Sequence, residues 1–190
     1  MTAGGTPPPL FLLAEDEPLA AMALRAQVEA LGFRVLDVAR NGEEAVALAA
    51  CFPVDLALLD HRMPRCSGFD AAVRLFELAP TPVALLTGVG VADLPDPVPE
   101  PPIFQVIPKP AGLAELSTGL AAARERFETW ARSDEAPDVE ASVRERELIG
   151  RATLALGGER RPALAAAEML RRSEEQGRTL ADIARQVLGA

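Results

Sequence analysis

Five residues in this chain have side chains suited to phosphoryl or hard-cation chemistry, and each stands where a short apolar run stops. Glu15 and Asp16 follow Leu10-Phe-Leu-Leu-Ala14, Asp60 follows Val54–Leu59, Thr87 follows Val83–Leu86, and Lys109 comes just after Ile103–Ile107. Three carboxylates brought together repel one another unless a hard divalent cation neutralises them. Mg2+ suits such a place, because it takes carboxylate or carbonyl oxygens, waters and phosphate oxygens. An aspartate held beside the ion can attack a phosphoryl donor and become an aspartyl phosphate. The new phosphoryl oxygens then need donors, which a lysine ammonium and a threonine hydroxyl supply. Singly, each residue has a plainer reading. Glu15 and Asp16 are also an acidic pair ahead of a helix, Asp60 a turn cap, Thr87 a strand-end residue, and Lys109 a loop charge between two prolines. Those readings do not explain why all five recur at successive run ends.

The elements that must position them follow from the pattern of the chain. The run Leu10–Ala14 is too short for a helix and reads as a buried strand. Pro18 can occupy a first helical turn, and Leu19, Met22, Ala23, Ala26 and Leu31 line one face of the segment that Gly32 closes. Phe33–Val38 is a second strand, and Asn41-Gly-Glu-Glu44 opens a helix through about Ala50. Val54–Leu59 is a third strand, followed by a helix over Phe69–Leu78 behind Ser67 and Gly68. Val83–Leu86 and Ile103–Ile107 complete the strands, and a long helix starts at about Gly112. Apolar strands alternating with amphipathic helices require a parallel sheet covered on both faces by right-handed crossovers, and such sheets bind ligands beyond the carboxyl ends of their strands. The five residues then share one rim.

The rhythm breaks at 93–102, where prolines at 95, 97, 99, 101 and 102 replace most of an expected fourth helix with an extended loop. Leu113, Leu116, Leu120, Ala123, Phe127 and Trp130 repeat at three- and four-residue intervals, an apolar seam longer than a sheet alone needs. Residues 132–138 form a linker. Helical patterns follow at about 139–156, 162–176 and 179–188, with Thr179 as a cap and with Gly157-Gly158 and Gly177 as punctuation.

Composition narrows the function classes. The formal net charge is −9 over 190 residues. The first 137 residues hold 10 cations and 19 acids, the last 53 nine of each, all nine cations being arginine. The front part is therefore a poor nucleic-acid surface. No apolar run approaches the roughly 18 to 20 residues of a membrane span, and the first nine residues lack the basic start of a secretion signal, so a cytoplasmic protein is expected. Two cysteines, Cys51 and Cys66, make no disulfide framework or zinc cluster and read as reduced thiols. His61, the single histidine, excludes sites built on several imidazoles.

Leu12-Leu-Ala-Glu-Asp-Glu-Pro18, Leu58-Leu-Asp-His-Arg-Met-Pro-Arg-Cys-Ser-Gly68, Pro82-Val-Ala-Leu-Leu-Thr-Gly88 and Val106-Ile-Pro-Lys-Pro110 resemble, in order over residues 10–130, the receiver domain of two-component response regulators. The resemblance implies a five-stranded, parallel, doubly wound, flavodoxin-like α/β domain over 8–131. It implies that Asp60 accepts a phosphoryl group from a histidine kinase or phosphotransfer protein. Glu15, Asp16 and Asp60, with the Arg62 backbone carbonyl, would then organise Mg2+. Thr87 would be the switch hydroxyl and Lys109 the phosphate-binding cation. Chemistry beyond self-phosphorylation and autodephosphorylation is not expected, since no second acid/base pair accompanies the acidic site. The family usually has an aromatic three residues before the lysine, where this chain has Val106. Phe104 stands two positions earlier, where strand alternation would put it on the same face. His61 and Arg62 flank the acceptor, where they could tune dephosphorylation. With the fourth helix altered, the long helix 112–131 becomes the candidate homodimer face.

In residues 139–190, Gly150-Arg-Ala-Thr-Leu-Ala155, Ala166-Ala-Glu-Met-Leu-Arg-Arg-Ser173 and Thr179-Leu-Ala-Asp-Ile-Ala-Arg-Gln-Val187 resemble the three-helix ANTAR module, an RNA-binding antitermination domain. Ala152 stands where that family has glycine and Ala167 where it has an aromatic. The resemblance implies Arg151, Arg171 and Arg172 as RNA-facing candidates. The same arginines, with glutamates three and four residues away, also read as a solvated, ion-paired face. A helix-turn-helix reader is disfavoured because Ala190 follows too soon after Leu180–Leu188. Two outputs stay open: an RNA-binding antiterminator, or a phosphorylation-controlled protein-interaction module without nucleic acid.

Overall fold

A computed structural model describes residues 7–78, 80–88, 98, 100–134, 136, 137, 139–158 and 161–189. Its elements run β1 (Leu10–Ala14), α1 (Pro18–Ala30), β2 (Arg34–Ala39), α2 (Gly42–Cys51), β3 (Leu56–Asp60), α3 (Gly68–Leu78), β4 (Val83–Thr87), β5 (Gln105–Pro108) and α4 (Leu113–Ala131). Then come α5 (Val139–Thr153), a π-helical turn over Leu154–Gly158, α6 (Pro162–Gln176) and α7 (Leu180–Leu188). The strands form one parallel sheet in the order β2-β1-β3-β4-β5. This is the five-stranded, doubly wound sheet that the sequence predicts. Among the described residues, no helix is long and apolar enough to cross a membrane.

Strand residues alternate between two apolar clusters, as a two-residue period requires. Phe11, Leu13, Leu56, Leu58, Ala84 and Leu86 face one side, where Leu24 and Val28 of α1 and Leu116, Leu120 and Ala123 of α4 cover them. Leu12, Ala57, Leu59, Val83 and Leu85 face the other, beneath α2 and α3. Both of those helices start with side-chain caps. Asn41 Oδ1 accepts from the Glu44 N–H at 3.0 Å while Glu44 Oε2 accepts from the Arg40 N–H at 2.9 Å, and the two bonds fix the start of α2. Ser67 Oγ accepts from the Asp70 N–H at 3.1 Å and does the same for α3.

Residues 139–189 pack over α2. Ile149 and Ala152 of α5, Ala166 and Met169 of α6, and Ile183 and Ala184 of α7 join α2 in the same apolar cluster. As a result α2 is buried on every side from Ala45 to Cys51. Such a helix is apolar all round, and this one reads Ala-Val-Ala-Leu-Ala-Ala-Cys. Thr179 caps α7 as expected, its Oγ1 accepting from the Asp182 N–H at 3.1 Å, and Gly177 ends α6 in the left-handed region at φ 59°.

Two expectations meet a different outcome. In α1, Leu19 and Met22 are 75% and 69% exposed, and the buried stripe is Ala21, Leu24 and Val28. Two interleaved apolar series fit this helix, and only its angle of approach to the sheet selects between them. Phe104 and Val106 do not share a face: Phe104 joins the α4-side cluster and Val106 packs with the opposite one. Strand alternation does not reach Phe104, because β5 begins at Gln105. Its ring instead lies 5.3 Å from Phe127 in edge geometry and 6.1 Å from Trp130. The seam of α4 is therefore taken up within the chain, Trp130 also lying 4.8 Å from Phe76 of α3. Of the Pro-rich segment, residues 93–97 and 99 lie outside the described residues, while Val98 and 100–102 are neither helix nor strand.

Candidate functional site

Parallel register places the candidate residues side by side. Ala14 pairs with Leu59, Asp60 with Leu86, and Thr87 with Pro108, so Glu15, Asp16, Asp60, Thr87 and Lys109 meet at the carboxyl rim. One carboxylate oxygen from each of Glu15, Asp16 and Asp60 lies within 4.8 Å of the others. Glu15 and Asp60 are almost fully buried, at 2% and 6% exposure, whereas Asp16 faces solvent. Lys109 Nζ sits 2.7 Å from Glu15 Oε2 and 3.0 Å from Asp60 Oδ2. Two buried carboxylates held this close are tolerable only with a cation between them. Burial works to lower the Lys109 pKa, but hydrogen bonds to Glu15 and Asp60, and their charges, outweigh it and hold the ammonium above its ordinary value. Lys109 is thus charged throughout the physiological range.

The backbone around this rim is tightly specified. The Lys109 N–H donates to the Thr87 carbonyl at 2.6 Å, joining the two donor-bearing strand ends, and Thr87 itself is buried. His61 N–H donates to Leu86 O at 2.7 Å, and Gly68 N–H returns to His61 O at 3.1 Å, which closes the 61–68 loop. A Cβ on Gly68 would collide with the backbone carbonyl of Asp60, so this position accepts only glycine. Arg62 lies exposed two residues beyond Asp60, and Arg65 takes a left-handed conformation at φ 66°. Arg65 turns toward α2, 3.6 Å from Glu44 and 4.0 Å from Glu43.

The acidic trio fits a hard divalent cation by its donor chemistry: three clustered carboxylates with one edge open to solvent, where Asp16 stands. A nucleophilic aspartate beside such an ion, with an ammonium at 3.0 Å and a buried hydroxyl at the next strand end, can accept a phosphoryl group.

Arg151 lies on α5, and Arg171 and Arg172 lie on α6. Arg151 is exposed near the end of α5 and forms no ion pair among the described residues. Arg171 instead bridges Glu168 at 2.7 Å and Glu175 at 2.6 Å, and Arg172 binds Glu168 at 2.7 Å. Hydrogen bonds from Arg171 and then Arg172 hold the Glu168 carboxyl down at about 2.

Asp37 and Arg146, which the sequence reading passes over, and Cys51, which it reads only as a reduced thiol, tie these helices to the sheet. Asp37 of β2 accepts from the Ala163 N–H at 3.2 Å, capping α6, whose own N-cap residue Arg161 supplies no side-chain cap. Arg146 of α5, 4% exposed, reaches Thr81 Oγ1 at 3.5 Å. Its burial lowers the guanidinium pKa against the opposing charge of Asp55. Cys51 lies buried with Sγ 3.8 Å from the Ala166 carbonyl, and burial, which a hydrogen bond with Thr153 only partly offsets, pushes its thiol up to about 12. The one sequence signal available for any of these was the all-apolar α2.

A parallel sheet whose rim gathers an acidic trio, a threonine and a lysine defines a domain of the receiver class. The chain belongs to that family: the response regulator receiver domain matches residues 11–121. It is similar to the transcriptional regulatory protein PdtaR of Mycobacterium tuberculosis, with 31% identity over 146 residues, 76% of this chain and 71% of PdtaR. Among solved structures it resembles the receiver domain of a modulated diguanylate cyclase from Desulfovibrio desulfuricans (31% identity, TM-score 0.58, covering 64% of this chain and 98% of that one). The receiver domain of an HD domain-containing protein from Pseudomonas fluorescens is likewise similar (26% identity, TM-score 0.59, 68% and 96% covered).

Proposed function

We propose that this response regulator acts in the cytoplasm, where Asp60 takes a phosphoryl group from a histidine kinase or phosphotransfer protein. The observation that carries the reading is the Lys109 ammonium within 3.0 Å of both Asp60 and Glu15, inside a trio of carboxylates. Glu15, Asp16 and Asp60, with the Arg62 carbonyl, would hold Mg2+, which supplies charge neutralisation for the incoming phosphoryl oxygens. Lys109 donates to those oxygens, as does Thr87 through its hydroxyl. The chain's own chemistry is limited to self-phosphorylation and autodephosphorylation at Asp60. Asp60→Asn should abolish acid-labile labelling from a small phosphodonor with Mg2+. Persistent labelling at wild-type stoichiometry would sink the assignment.

For output we infer that α5, α6 and α7 form an RNA-binding antitermination module, a reading supported by the ANTAR-like sequence and by similarity to a transcriptional regulator. Arg151, Arg171 and Arg172 are its candidate contacts. The pairing of Arg171 and Arg172 with Glu168 and Glu175 favours a second reading, a protein-docking module. Crosslinking of the beryllofluoride-activated protein to host RNA, beside an Arg151→Ala control, separates them. Discrete hairpins that require both activation and Arg151 mark an antiterminator, and no enrichment above control marks the docking module.

A further inference from the structure

The loop that follows Asp60 is built directly against the helix that carries the C-terminal module. Gly42, the first residue of α2, donates its N–H to Cys66 O at 3.1 Å, and a Cβ there would lie 2.6 Å from that same oxygen. Loop and helix therefore touch backbone to backbone at this point, with the Cys66 side chain packed against Gly42 and Arg65 paired with Glu43 and Glu44 beside it. α2 also meets α6: Val46, Ala47, Leu48, Ala49 and Cys51 of α2 share one apolar cluster with Ala166 and Met169 of α6, and Cys51 Sγ lies 3.8 Å from the Ala166 carbonyl. Such a close-packed contact loses a large share of its dispersion energy on separation by a fraction of an ångström. Asp60 has little room to grow. It is 6% exposed, its carboxylate is already bound by Lys109, and its carbonyl is fixed against the Gly68 backbone. A phosphoryl group adds three oxygens, and the adjacent wall free of regular structure is the 61–67 loop. On the opposite side of the sheet, Phe104 is locked among Phe76, Phe127 and Trp130.

We propose that the 61–67 loop couples Asp60 to the C-terminal helices through α2, so that a phosphoryl group on Asp60 loosens α6 from α2. This rests on the acceptor reading given above. In the unmodified chain the module is held docked, by the shared apolar cluster, by Asp37 on the N-terminus of α6 and by Arg146 at the foot of β4. Phosphorylation moves the loop, the loop tilts α2, and the packed contact with α6 opens. The output helices thus take their signal from the α2 side of the sheet.

Cys51 is a native reporter of this docking, because its thiol is sealed beneath Ala166. In the full chain, alkylation of Cys51 should be followed by peptide mass spectrometry with Mg2+ alone and with Mg2+ and beryllofluoride. Fluorine NMR registers the bound fluoride, and amide exchange is followed over residues 163–176. The expected result is at least a fivefold faster alkylation of Cys51 with beryllofluoride, with faster exchange in α6. Neither change should occur in Asp60→Asn. Asp37→Asn, outside the acceptor site, should raise the basal alkylation rate without beryllofluoride. Bound fluoride with Cys51 and α6 unchanged, or with Cys51 faster and α6 unchanged, would overturn the coupling while leaving the acceptor intact. No bound fluoride at all would overturn both.

Discussion

The two faces of the sheet are covered in different ways. On one, α1 and α4 lay single apolar stripes on the strands, with Leu24, Val28, Leu116 and Leu120 inward and Leu19 and Met22 left to water. On the other, α2 is sandwiched, with the sheet beneath it and α5, α6 and α7 above. A helix with one buried stripe can stand at a protein's surface, whereas a helix apolar all round needs cover on every side. The C-terminal helices thus complete the layering of this chain as well as extend it.

The largest test of that comparison is removal of residues 132–190. The sequence alone marks 8–131 as a domain able to fold and be phosphorylated by itself. The sandwiching of α2 predicts a severe penalty: a melting temperature lower by on the order of 10 °C, which corresponds to about 3 to 4 kcal/mol for a chain of this size, with increased binding of a hydrophobic dye by the exposed α2. A truncated chain that melts like the full one would break the comparison.

A sharper version sets one buried side chain on each face. Met169→Ala, beneath α6, and Leu116→Ala, beneath α4, both replace residues at 0% exposure. Each should cost about 2 to 5 kcal/mol in denaturant unfolding if both faces are equally part of the core. A Met169→Ala cost well under 1 kcal/mol beside a full Leu116→Ala cost would show a module that is only loosely seated.

The smallest effect is a pH dependence. The Cys51 thiol is raised from 9.0 in the unfolded chain to about 12 by burial under α6. Its contribution to stability is full below pH 9 and is lost as pH rises from 9 toward 12, because the unfolded chain releases the proton first. Wild type should therefore lose melting temperature between pH 8 and 10.5 faster than Cys51→Ala does. Parallel curves would mean that Cys51 is not sealed.

Much of the acceptor site was legible in the sequence, because each of its residues is tied to a strand end and the strands announce themselves as apolar runs. Asn41, Ser67, Thr179 and Gly177 were legible for a similar reason, since caps act within four residues of themselves. The inward stripe of α1 was not, because Leu19-Met22-Ala23-Ala26 and Ala21-Leu24-Val28 both satisfy helical periodicity. Nor was the cap on α6, since Asp37 lies 126 residues away in the chain from the N–H it accepts.

By itself the sequence determined which residues end the strands, that the sheet is parallel and doubly wound, and that Glu15, Asp16, Asp60, Thr87 and Lys109 share a rim. Those follow from local periodicity and from the few ways in which alternating strands and helices can pack. That Lys109 stands between Glu15 and Asp60, that Phe104 turns to the α4 side, and that α5, α6 and α7 close over α2 is set by the assembled fold. These depend on where distant segments meet, and the energy that chooses among such meetings lies in close-packed contacts between residues that no local pattern relates.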